Sequence, residues 1–213
     1  MFPVSETATI FDISPVISPR IAVWPGDTQF SARFLCKIAE GSNIDLSTIE
    51  TTVHVGAHCD APSHYVLPGQ TIEQRDLRYY LGRCQVISVD VDRASRVQLT
   101  DINITVSAPR VLLRTSSFPD PDQFNEDFAA SSPELIDWLA AQGVVLIGID
   151  TPSIDLCDSK LLPSHKAVAR HDMAVLEGVV LDVVPDGVYW LSAVPLRIEG
   201  ADASPVRAVL MSL

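Results

Sequence analysis

His54-Val55-Gly56-Ala57-His58-Cys59-Asp60-Ala61-Pro62-Ser63-His64 gathers three of the chain's five histidines and one aspartate into eleven residues. The four polar positions fall at i, i+4, i+6 and i+10. Even offsets on an extended strand share one face, so the spacing predicts a strand that presents all four side chains together. Imidazoles and a carboxylate converging on one point form the ligand set of a Zn²⁺ or Mn²⁺ site. His54, His58 and Asp60 supply three ligands and leave positions open for water, as a catalytic site requires. His64, just beyond them, is placed to carry protons. Cys59, at an odd offset, is expected on the opposite face as core filler. A carboxylate such as Asp60 can also bridge two cations. A second metal would draw on His165, His171, Asp172 and Glu177, the only other histidine-rich group.

Composition narrows the functional classes. The 213 residues favour one domain, 1–213, and a 47% apolar fraction is enough for a substantial core. Net charge is −12, which argues against nucleic acid and anionic membranes as partners because both need a basic surface. No run of eighteen apolar residues is present, and Met1–Glu6 has neither a basic region nor an apolar run. A transmembrane helix and a signal peptide are therefore not expected, and a cytoplasmic location is. The four cysteines, Cys36, Cys59, Cys84 and Cys157, form no CxxC pair and are expected as reduced thiols.

Secondary structure reads as strand-rich. Alternation from Phe30 to Ile38, the β-branched run Ile44–Val53, Val86–Val91 and Val111–Leu113 all predict strands. Ser132 as N-cap, Pro133 at N1 and Gly143 as terminator predict a helix over Pro133–Gln142. Val144–Ile149 follows as a strand covered on both faces, stopping at Asp150, which reads as a turn cap. Ser164 is expected to cap a short helix through His171. Further strands are predicted near Val175–Glu177, Tyr189–Val194 and Val206–Met211. The pattern gives an α/β or α+β fold with a mixed sheet.

HxGxHxDxPxH resembles the signature of the metal-dependent cyclase family, and the chain is similar within it to the bacterial kynurenine formamidases, or arylformamidases. The resemblance also rests on Asp12-Ile13-Ser14-Pro15, Trp24-Pro25-Gly26-Asp27, Gly148 to Ser153, His165 to Glu177, Leu181-Asp182-Val183, Pro195-Leu196 and Asp202 to Ala208. Ala57 stands where many members carry Thr, at a position outside the ligand set. The resemblance implies a β-rich α/β domain of cyclase-like fold, with a barrel-like mixed sheet flanked by helices, in a homodimer or larger oligomer. It implies two divalent metals, zinc first and manganese as the alternative. His54, His58 and Asp60 would hold one and His165 and Glu177 the second, with Asp60 between them. His64 would be the catalytic histidine and Trp24 a wall of the substrate pocket; His171 has no matching role. The implied reaction is hydrolysis of N-formyl-L-kynurenine to L-kynurenine and formate. An isatin hydrolase or another cyclic-amide hydrolase is the runner-up. A non-catalytic metal-binding protein is the rival from a different class, and a spare base at His64 argues against it.

Overall fold

The computed structural model describes residues 7–213, so Met1–Glu6 lies outside it. Its strands and helices, in chain order, are β1 (Ile10–Asp12), β2 (Ser31–Cys36), β3 (Leu46–Glu50), β4 (His58–Asp60), β5 (Leu81–Ser88), β6 (Arg96–Val97), β7 (Arg110–Arg114) and β8 (Ala130–Ser131). There follow α1 (Pro133–Ala141), β9 (Leu146–Ile149), α2 (Pro163–Arg170), β10 (Ala174–Leu176), β11 (Gly187–Ser192), β12 (Ala203–Pro205) and β13 (Val209–Ser212). Seven strands form one mixed, barrel-like sheet in the order β1-β13-β11-β5-β7-β9-β10. β5, β7, β9 and β10 run parallel, and β11, β13 and β1 continue antiparallel.

Strand alternation explains the two cores. Successive side chains point to opposite faces, so Val111, Leu113, Ile147, Ile149 and Val175 meet Leu135, Ile136, Leu139 and Val168 of α1 and α2 on one face. Leu112, Leu146, Ala174 and Leu176 join Ile13, Tyr80, Leu191 and Leu210 on the other. β9 is buried along its whole length, which is why Val144–Ile149 reads as nearly continuous hydrophobicity.

Several local expectations need correction. Ser132 caps α1 through its hydroxyl, which accepts from the Leu135 N–H at 3.2 Å, but the helix ends one residue early, with Gln142 as C-cap. Ser164 is not the cap of α2: the helix starts at Pro163, with Leu162 as N-cap at φ 46°. The reason is that Asp155, distant in sequence, accepts from the Ser164 and His165 N–H groups. The predicted Val206–Met211 strand starts three residues late, as β13 (Val209–Ser212), because 206–208 carry the chain from β12, which pairs β4, across to the main sheet. The Phe30–Ile38 alternation does yield a strand, but among the described residues β2 pairs only β3, and both are exposed on both faces. No helix among the described residues is long and apolar enough to cross a membrane.

Candidate metal centre

β4 is three residues long, so the expected single strand carrying all four polar residues does not form. His54 lies in a bend before it, where Gly56 takes φ +60°, and His64 closes the 3-10 turn Pro62–His64 after it. Two turns around a short strand, rather than strand alternation, bring the side chains together. Gly178 (φ +67°) secures the bend from the other side: a Cβ there would collide with the Gly56 carbonyl. β4 is fixed by β12 and by paired backbone bonds between His58 and Glu177 at 3.0 and 2.9 Å. Glu177 directly follows β10 and Asp150 directly follows β9. The site therefore opens at the carboxyl ends of parallel strands, where open α/β sheets bind their ligands.

Asp60 is the hub. Its Oδ1 faces His54 Nδ1 at 3.0 Å and His58 Nε2 at 3.5 Å, while Oδ2 faces His165 Nε2 at 3.4 Å. Glu177 completes the ring, with Oε2 3.2 Å from His58 Nε2 and Oε1 3.3 Å from His165 Nε2. His58, Asp60, His165 and Glu177 are each at most 2% exposed. Among the described residues, both Asp60 oxygens and His165 Nε2 nevertheless find no hydrogen-bond partner. Buried, unpartnered carboxylate oxygens aimed at imidazole nitrogens are costly unless a cation sits among them. The ligand atoms of His58, Asp60 and Glu177 lie within 4.8 Å of one another, as do those of His54, Asp60 and His64, and Asp60 is common to both groups. The donor set and its orphaned atoms thus fit divalent metal.

The electrostatics point the same way. Burial would lower the His54 imidazole, but Asp60 and Asp202 outweigh it and hold it at about 9. Burial acts likewise on His165, and Asp155, Asp60 and Glu177 raise it well above its ordinary value. Burial alone would raise Asp60, yet His165 and His54 hold it well below the carboxylate range. The centre demands positive charge, which protons or metal ions can supply.

Each imidazole that faces Asp60 is anchored through its other nitrogen. His58 Nδ1 donates to the Gly56 carbonyl at 2.9 Å, His165 Nδ1 to Asp155 at 2.9 Å, and His54 Nε2 to Asp202 at 3.1 Å. Such outer contacts fix tautomer and ring orientation at metal sites. Asp155 is itself held by Arg96 at 2.9 Å. The same Asp202 Oδ2 accepts from His64 Nδ1 at 3.1 Å. The His64 side chain is 35% exposed, against 3% for His58 and His165, so it is the imidazole most open to a substrate.

The centre forms the floor of a cavity of about 430 Å³, lined by Trp24, Phe118 and Phe124 among others. Trp24 packs edge-on against Phe124 at 5.5 Å and Phe128 at 6.1 Å, so it walls its own chain's cavity. Asp150, which also lines the cavity, holds a neighbouring segment rather than its own turn: it accepts from the Thr115 and Ser116 N–H groups and steadies the segment leading to Phe118.

Residues 11–156 match the family model named Cyclase. The chain belongs to the Cyclase family. Trp24 and the His54–His64 stretch lie inside the matched residues, and His165, Glu177 and Asp202 lie beyond them. The chain is similar over its length to a potential metal-dependent hydrolase with cyclase activity, at 27% identity and TM-score 0.83, covering 97% of this chain and 99% of that one. It is also similar to a predicted metal-dependent hydrolase from Bacillus stearothermophilus, at 26% identity and TM-score 0.80, covering 97% and 100%. Isatin hydrolase A from Labrenzia aggregata shares the fold at 21% identity, TM-score 0.81, covering 96% and 94%.

In this Cyclase-family chain, all seven sequence-nominated residues, Trp24, His54, His58, Asp60, His64, His165 and Glu177, line the one cavity. His171 does not join them; it pairs with Asp137 on the surface at 2.8 Å. Cys59 is buried in the core beside Ala193, and all four cysteines are free thiols. Sequence reasoning missed Asp202 and Asp155. Neither carries a spacing signal, since each reaches its histidine only through the fold: Asp202 directly precedes β12, which lies against β4.

Proposed function

We propose that the chain hydrolyses N-formyl-L-kynurenine to L-kynurenine and formate, as a metal-dependent arylformamidase. The observation that carries this reading is Asp60, whose two unpartnered oxygens each face different imidazoles at the floor of an aromatic-walled cavity. His54, His58 and Asp60 would hold one ion and Asp60, His165 and Glu177 the other. Zinc suits this donor set, and manganese is the alternative. When bound, the ions supply a Lewis acid that polarises the formyl carbonyl and lowers the pKa of water.

The protein's own groups do the rest. Trp24, Phe118 and Phe124 offer an apolar wall to an aryl ring. His64, oriented through Nδ1 by Asp202, has Nε2 available to take a proton from water as the C–O bond forms. It returns that proton to the anilide nitrogen as the C–N bond breaks. Formate then departs after losing its remaining proton to solvent.

A homodimer belongs to the same reading. It is supported by the β2–β3 hairpin, which among the described residues pairs with no other strand and exposes Phe34, Leu35, Leu46 and Ile49, an apolar surface suited to a second copy.

Offering metal-loaded protein N-formyl-L-kynurenine and isatin in parallel tests the substrate. Faster release of formate is the expected result. Opening of isatin alone would move the activity to a cyclic-amide hydrolase, and turnover of neither would favour a non-catalytic metal binder.

A further inference from the structure

A second cleft of about 380 Å³ lies against the first. It is lined by Ser63 to Leu67, Lys160 to Leu162 and Lys166, and it shares His64 and Leu162 with the metal cavity. Its wall residue Tyr65 packs its ring 5.0 Å from that of His165. Lysine is rare here: the chain has three, Lys37, Lys160 and Lys166. Lys37 pairs with Glu40 at 3.3 Å. The other two line this cleft, and neither has an ion-pair partner among the described residues. In a chain of net charge −12, two unpaired cations in one cleft are not a by-product of a basic surface.

The protein's own charged side chains on the metal-cavity side are of opposite sign. No lysine or arginine lines that cavity, whereas Asp27, Asp150, Asp182 and Asp202 do. Hydrolysis of an amide generates a carboxylate beside His64, and the lysines that line the cleft on the far side of that histidine attract it. We infer that the Lys160–Lys166 cleft is a carboxylate site joined to the metal cavity at His64 and Leu162. It would receive either the formate released or the carboxylate tail of the substrate. This rests on the amide-hydrolase reading, but binding to the cleft can be measured without turnover.

The test compares metal-loaded wild type with Lys160→Ala/Lys166→Ala, with metal content determined for both. Calorimetric titration with formate and with acetate reads binding directly. The double variant should bind at least one of them about tenfold more weakly, the loss that accompanies removal of a charge-assisted hydrogen bond. Lys160→Arg/Lys166→Arg should recover most of it. Kinetics then separate the sources. A raised formate inhibition constant with formanilide as substrate identifies the product. A raised KM for N-formyl-L-kynurenine but not for formanilide, which has no carboxylate, identifies the tail. Equal carboxylate affinity in wild type and the alanine variant, with no change in either kinetic constant, overturns the proposal. If no amide is turned over at all, the function reading fails and the titration alone decides the cleft.

Discussion

At the residue scale, the proposed mechanism gives His64 and Asp202 a labour distinct from that of the residues that would hold metal. Asp202 contacts His64 and His54 through one oxygen, so it is a positioning residue for both. His64→Ala should keep its metal yet lose at least about a hundredfold in kcat, the lower bound for acid–base catalysis. Asp202→Asn should lower kcat by roughly 10–100-fold, as loss of outer contacts at metal sites does, with KM little changed. Steady-state kinetics with metal analysis checks both, and near-wild-type kcat in His64→Ala would remove it from the mechanism. The side chains of this site were legible in the sequence because histidine and aspartate are rarely clustered without chemical cause. The partners of those side chains were not, since Asp155 and Asp202 come from turns whose placement depends on the whole fold.

At the element scale, the gap between sequence and structure is largest around β4. The spacing of His54, His58, Asp60 and His64 fits a strand, but Gly56 at positive φ and the Pro62–His64 turn break it on either side. Turn geometry also satisfies even offsets, so period-2 reasoning grouped residues that the fold brings together by a different route. The buried β9 and the capped α1 were legible because their signals are local. The β2–β3 hairpin was legible as strands but not as exposed strands: alternation reports a possible apolar face, not what covers it. Replacing Phe34 and Ile49 together by serine should convert a dimer to monomer with secondary structure unchanged, as read by light scattering and circular dichroism. A wild-type chain that is monomeric at micromolar concentration would contradict the dimer.

At the scale of the whole molecule, a mixed sheet with helices on one face leaves the carboxyl ends of β9 and β10 free to frame a cavity, and β4 and β12 bring the histidine stretch across it. Burying Asp60 and Glu177 is tolerable there only with positive charge between them. That makes the number of bound metals the most direct test of the central claim. Elemental analysis of metal-loaded protein should give about two divalent ions per chain, as in other paired sites, falling to about one in Glu177→Ala. One ion per chain in both proteins would contradict a centre in which Asp60 is shared by two metals.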